Sequence, residues 1–165
     1  MNGDRVEEPA LTHIDESGAA HMVDVTEKED SDRRAVAEAI VTMDSSTRDR
    51  LFAGDLPKGD AVATVRLAGI MGAKRTAELI PLAHPIPITA ITLEVNAIDI
   101  GVRLLAMVRT TAPTGVEMEA LTAVSTAALS LYDMVKAVER GVTIGPVRLL
   151  EKSGGRSGQW RRKDL

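Results

Sequence analysis

The sequence predicts an α+β fold of the ferredoxin-like kind, a βαββαβ sandwich with two long helices on one face of an antiparallel sheet, plus an N-terminal strand. Three observations carry that expectation. Hydrophobic patterns of period two and period 3.6 follow one another as strand, helix, strand, strand, helix, strand. The two central strand patterns are separated only by Asp99, Ile100 and Gly101, a hairpin connection. Aromatics are 2% of residues while hydrophobics are 44%, so the core is built of small aliphatic side chains that let helices lie close on a sheet.

Residues 1–18 are polar, contain Pro9 and Gly18, and read as a flexible N-terminal segment; residues 19–158 read as one domain and 159–165 as a C-terminal tail. "AHMVDV" reads as the short first strand. "RRAVAEAIVTM" reads as the next, with Val36, Ile40 and Val41 available for burial, although so alanine-rich a pattern also suits a helix. "SSTRDRLFAG" predicts a short helix capped by Ser45 or Ser46 and stopped by Gly54. From residue 58 to residue 80, Val62, Val65, Leu67, Ile70, Met71 and Leu79 recur at helical spacing until Pro81 ends the pattern. Gly69 and Gly72 each cost about 1 kcal/mol there relative to alanine, which implies close packing against a neighbour.

"ITAITLEVNAI" and "VRLLAMVRTT" form the hairpin. Thr114 and Glu117, in capping-box spacing, then open a second long helix over residues 115–140, closed by Gly141. "VTIGPVRLLEK" is the last strand. Pro146 has no N–H to give to a ladder, so it predicts an edge position or a bulge.

Twenty basic against twenty-four acidic residues, a net charge of −4, give no electrostatic support to nucleic-acid or anionic-membrane binding. The basic residues are concentrated late, with Arg148, Lys152, Arg156, Arg161, Arg162 and Lys163 set against Glu151 and Asp164. Such a local patch suits a small phosphorylated molecule. The absence of cysteine removes disulfides, thiolate catalysis and cysteine metal sites. No apolar run reaches the roughly 20 residues of a membrane span, and the acidic start "MNGDRVEEPA" is unlike a signal peptide. A soluble cytoplasmic protein is the expectation.

The second long helix is apolar or small nearly all round through its middle, more than one sheet covers, so association with further copies is expected. Within it, "LSLYDMVKAVE" sets Asp133 and Lys136 three residues apart, close enough to pair. An exposed pair of this kind contributes about 0–1 kcal/mol and needs no function. The flanks Leu129, Leu131, Tyr132, Met134, Val135 and Val138 instead imply partial burial, which would shift both groups and suit them to proton transfer.

Glu117 has a capping role open to it, whereas Glu119 has none. Glu119 and Asp133 are fourteen residues apart, about 21 Å along a helix axis, so one reacting centre needs a long ligand or more than one subunit. In "LIPLAHPIPI", Pro81, Pro85 and Pro87 hold the chain extended and display His84. His13 and His21 read as structural or solvated. Lys58 in "PKGD", ahead of a helix, and Lys152 with Arg156 in the glycine-rich "EKSGGRSG" are candidate phosphate contacts, although no Walker spacing is present.

In this order, "HMVDVTEK", "KGD", "AGIMGAKRT", "LIPLAHPIP", "TGVEMEALTAVSTAALSLYDMVKA" and "KSGGRSG" closely resemble the MoaC family of cyclic pyranopterin monophosphate synthases, from about residue 11 to residue 158. The resemblance implies a ferredoxin-like subunit in a homohexamer, a trimer of dimers, with sites at subunit boundaries. It implies a lyase of molybdenum cofactor biosynthesis that converts 3′,8-cyclo-7,8-dihydro-GTP to cyclic pyranopterin monophosphate and diphosphate. The catalytic residues would be Asp133 and Lys136. The substrate would be bound by Leu82, Ala83, His84, Glu117, Met118, Glu119, Lys58 and Lys152, with Lys28 and Arg33 reaching a neighbouring subunit's site. No resident metal or cofactor is implied beyond magnesium carried by the triphosphate.

One departure is Ala83, where the family usually has cysteine; a loop that binds through its backbone tolerates the change. The alternatives are a catalytically inactive pterin- or nucleotide-binding oligomer and a purely structural assembly module. Retention of Asp133, Lys136, His84 and both glutamates speaks against each.

Overall fold

The structure, a computed structural model, describes residues 17–156 and 158–164. Its elements are β1 (Ser31–Thr42), α1 (Ser45–Ala53), α2 (Ala61–Lys74), α3 (Thr76–Leu79), β2 (Ala90–Ile98), β3 (Gly101–Ala112), α4 (Glu117–Val135), β4 (Thr143–Ser153) and β5 (Trp160–Arg161). The sheet order is β2-β3-β1-β4-β5 with every neighbouring pair antiparallel. This is the ferredoxin-like α+β arrangement expected from the element order, with the helices on one face.

Period-two alternation decides which face of each strand meets the helices. Ala35, Ala37, Ala39 and Val41 of β1 and Val102, Leu104, Ala106 and Val108 of β3 are wholly buried on that side. Ala120, Ala123, Val124, Ala127 and Leu131 of α4 close over them. Each fully buried valine or leucine contributes about 1.5–3 kcal/mol. The glycines of α2 serve the close packing inferred for them: a Cβ at Gly69 would lie 3.0 Å from the carbonyl oxygen of Ala123, and one at Gly72 would lie 2.4 Å from Thr126 Oγ1. Glycine therefore lets α2 lie directly against α4.

On the opposite face, Glu38 is buried between strands. Arg103 Nε donates to one carboxylate oxygen at 2.6 Å and Arg148 Nε to the other at 2.7 Å, so β3, β1 and β4 are tied by one acid. Burial pushes the Glu38 carboxyl up, but the two guanidinium groups outweigh it and hold the group below the usual range.

Several expectations need correction. "AHMVDV" is extended but is no strand, having only a single bridge at Ala20. Its half-buried Val23 and Val25 cover the loop that carries His84, so the alternation records contact with that loop and not sheet pairing. The helix expected over residues 58–80 is two helices, because Arg75 leaves helical geometry at φ −110°. The first begins at Ala61, where the Asp60 carboxylate accepts the Ala63 N–H at 2.9 Å, which leaves Lys58 in the preceding turn.

Thr114 and Glu117 form no capping box, and α4 ends at Val135 with Lys136 as its cap, short of Arg140. Ser45 and Ser46 lie inside α1, whose N-cap is Asp44, while Gly54 stops it at φ 74° as expected. Pro146 sits at a bulge, since the register steps from Ala39↔Val147 to Val41↔Ile144. In the segment read as a C-terminal tail, Trp160 and Arg161 add an edge strand opposite Lys152 and Glu151. The expected flexible segment 1–18 lies, apart from residues 17 and 18, outside the described residues, as does His13. His21 is exposed.

Among the described residues, no helix is long and apolar enough to cross a membrane, and no group of histidine, aspartate and glutamate side chains is arranged to hold a metal ion.

Candidate active site

The predicted site residues fall at the two ends of α4. At its N-terminal end lies a cleft of about 380 Å³, lined by Lys28, Leu82, Ala83, His84, Glu117, Met118 and Glu119 together with Val23, Val25, Thr114 and Gly115. None of the last four was assigned to a site from the sequence, Thr114 having been read only as a helix cap. Their alternation and turn chemistry carry no chemical signal, and only the fold brings them to the cleft.

The loop between α3 and β2 is held from both sides. Ala83 N–H donates to the Ile80 carbonyl at 3.0 Å, Ile86 and Ile88 pack on the core, and Thr110 Oγ1 donates to the Pro87 carbonyl at 2.5 Å. His84 Nε2 lies 2.7 Å from the Val23 carbonyl oxygen, so that nitrogen carries the proton and donates it. That bond orients the ring where it lines the cleft.

Glu119 is 4% exposed. Burial pushes its carboxyl up to about 7; its own backbone N–H opposes the shift, and the negative charge of Glu117 adds to it. Glu117 has a cation of its own, the Lys152 ammonium at 3.8 Å. That contact sets β4 beside the cleft at Glu117, although Lys152 itself is not among the residues that line it. Arg33 faces a neighbouring hollow of about 430 Å³ of mixed charge, where Lys28 and Arg156 stand beside Glu27, Glu29 and Asp30. It is anchored by donating from Nε to the Ala112 carbonyl at 2.9 Å and from Nη2 to the Pro113 carbonyl at 2.8 Å.

At the other end of α4, Asp133 sits between two ammonium groups. Lys136 Nζ lies 2.7 Å from Oδ1 and Lys58 Nζ 2.5 Å from Oδ2. Hydrogen bonds from Lys136 first and Lys58 second bring the Asp133 carboxyl down to about 2, and the aspartate in turn raises Lys136. Lys58 was expected only as a phosphate contact; its pairing with Asp133 was not foreseen, because nothing in "PKGD" says which helix α2 will pack beside.

The expected shelter around Asp133 and Lys136 is absent in the single chain, where their side chains are 52% and 49% exposed. The reason is helical phase. Leu131, Met134 and Val135 point to the sheet, whereas Asp133 and Lys136 share the outer face with Leu129, itself 64% exposed. The cleft and this triad are separated by the length of α4, about 21 Å from Glu119 to Asp133 at 1.5 Å per residue. The structure thus joins Lys58 to Asp133 and Lys136, and Lys28 to the cleft with Lys152 on its Glu117, but does not join the two groups within one chain.

Comparison with known proteins gives one consistent result. The family model described as the MoaC family matches residues 22–155. A protein of Corynebacterium efficiens named cyclic pyranopterin monophosphate synthase is 55% identical, with 91% of this chain and 97% of that protein covered. Proteins of the same name from Thermomicrobium roseum and a Roseiflexus species are 54% and 56% identical, covering 93% and 91% of this chain and 94% and 96% of their own lengths.

Proposed function

The chain belongs to the MoaC family, and from that premise we propose that it is a cyclic pyranopterin monophosphate synthase. It is a lyase of molybdenum cofactor biosynthesis that converts 3′,8-cyclo-7,8-dihydro-GTP to cyclic pyranopterin monophosphate and diphosphate. The observation that carries this reading is identity of 55% over 91% of the chain to a protein of that name.

The residues divide the work between them. Asp133 is held ionised by Lys58 and Lys136, so the triad offers one proton acceptor and two ammonium donors. Asp133 and Lys136 relay protons while the five-membered ring of the purine opens and the pterin ring closes. Formation of the cyclic phosphate makes one P–O bond to a ribose-derived oxygen, breaks the bond to the leaving diphosphate, and sends the hydroxyl proton to the base. Lys58 and Lys152 hold the triphosphate while this happens. Leu82, Ala83 and His84, with Glu117, Met118 and Glu119, hold the ring system. The Ala83 segment needs only its backbone for that task, so cysteine is dispensable there. Magnesium enters with the triphosphate as part of the substrate, and the reaction calls on no resident cofactor. In this reading the enzyme works in the cytoplasm.

A site split over about 21 Å becomes one site when the cleft of one copy meets the triad of another. The exposed Leu67 and Met71 of α2 and Leu129 of α4 support such association, since a monomer would leave them in water. The assembly we propose is a homohexamer, a trimer of dimers, with Lys28 and Arg33 contributed across its boundaries. Incubation of the purified protein with the cyclised nucleotide tests the activity, and no release of diphosphate would end that reading. Sizing at micromolar concentration tests the assembly, where a monomer would rule out the shared site.

A further inference from the structure

We infer that Glu119 stands in the cleft as a neutral carboxylic acid and gives its O–H as a hydrogen bond to an acceptor atom of the ring system bound there. The inference rests on the reading of this cleft as the ring-binding half of the site. It specifies a contact opposite in sense to the usual one, in which a carboxylate accepts hydrogen bonds from the N–H groups of a guanine edge.

The geometry supports it from every side. Glu119 and His84 together form the wall between the cleft and a second cavity of about 360 Å³ behind it, and Glu119 is 4% exposed. Among the described residues, Glu119 makes no ion pair. Lys152 lies on Glu117 at 3.8 Å, and the Nε2 proton of His84 is given to Val23. Lys28 lines the front cleft, and Lys74 and Glu78 line the rear cavity, whose charges oppose each other. Glu117, two residues earlier on the same helix, adds negative charge. A buried acid beside a second acid, with no cation committed to it, holds its proton to higher pH than an exposed glutamate does. The rise of its carboxyl to about 7 agrees with this arrangement.

The test separates this contact from the activity itself. Affinity for 3′,8-cyclo-7,8-dihydro-GTP is measured in the inactive Asp133→Asn protein and in the same protein carrying Glu119→Gln. The amide keeps a donor of nearly the same shape but cannot titrate. If only the protonated form binds, affinity of the first falls about tenfold more than that of the second between about pH 6 and pH 8. Equal pH slopes would overturn the inference. Infrared difference spectra of the ligand-free wild type and E119Q provide a readout that needs no binding: a protonated-carboxyl band present only in the wild type should disappear with a midpoint near 7. A midpoint in the ordinary glutamate range would also overturn it. A wild type that shows the band but releases no diphosphate would refute the proposed function and leave the neutral acid standing.

Discussion

Lys58 Nζ, in the turn before α2, lies 2.5 Å from Asp133 Oδ2 near the end of α4, across 75 residues of sequence. Lys136 closes on the other oxygen at 2.7 Å. Replacing Asp133 with Asn keeps the shape, removes the proton acceptor and leaves the lysines without their counter-ion. Turnover should fall about 10²–10⁴-fold, the range of a lost general acid or base. The thermal midpoint should barely move, because exposed pairs contribute about 0–1 kcal/mol. Steady-state diphosphate release and a thermal scan on one preparation check both, and an active variant would remove Asp133 from the mechanism.

Lys58→Met separates phosphate binding from proton transfer. Asp133 keeps Lys136, so the relay survives, while the substrate loses one charge-assisted contact of about 1.5–3 kcal/mol. Affinity should drop about 10–100-fold, with KM rising more than kcat falls. An equal fall in kcat and kcat/KM would make Lys58 a transition-state group.

These two residues also mark the limit of what could be read in the sequence. The strand and helix order, the central hairpin and the glycines facing a neighbouring helix were legible because each is a local pattern with one physical solution. Pro146 was legible because a missing N–H narrows the possibilities. The exposure of Asp133 was not: counting apolar neighbours along the chain ignores helical phase, and Leu131, Met134 and Val135 all face away from it. Nor was "AHMVDV", whose alternation is the same whether the partner is a strand or the loop of His84. The Lys58–Asp133 contact depends on α2 lying against α4, a relationship no local pattern encodes.

Glu38 is the structural counterpart of Asp133, an acid between two cations, but buried. Its replacement by Ala would leave Arg103 and Arg148 facing each other across β1, and removing one partner of such a network costs about 3–5 kcal/mol. Because the folded carboxyl titrates below its unfolded value, its contribution is complete above the ordinary glutamate range and is lost as pH falls through the folded value. Urea unfolding of wild type and E38A at neutral pH should show that difference, and it should shrink towards strong acid.

Gly72→Ala tests the α2–α4 contact. Helix propensity alone predicts a gain of about 1 kcal/mol. The added Cβ would meet Thr126 Oγ1 at 2.4 Å and Thr126 Cβ at 2.7 Å, and overpacking of this kind costs about 1–3 kcal/mol. A net loss is expected. Thr126→Ala cannot relieve it, because the Cβ remains, whereas the exchange Gly72→Ala with Thr126→Gly should recover most of it. Urea midpoints of the wild type, G72A, T126G and the double variant close the cycle.

Glu119 predicts a pH dependence of stability opposite to that of Glu38. Its carboxyl titrates near 4.5 in the unfolded chain and about 7 in the folded one, so the folded state holds the extra proton between those values. Stability is therefore full below the unfolded value and is lost as pH rises through 7. At 1.36 kcal/mol per unit, the whole window is worth about 3 kcal/mol. The amide in E119Q has no proton to lose, so the variant should gain on the wild type by that amount on passing from about pH 4 to pH 8.5. In thermal midpoint this is about 6–12 °C for a chain of this size. Parallel pH curves for the two proteins would mean that Glu119 ionises freely, with water or a cation reaching it inside the cleft.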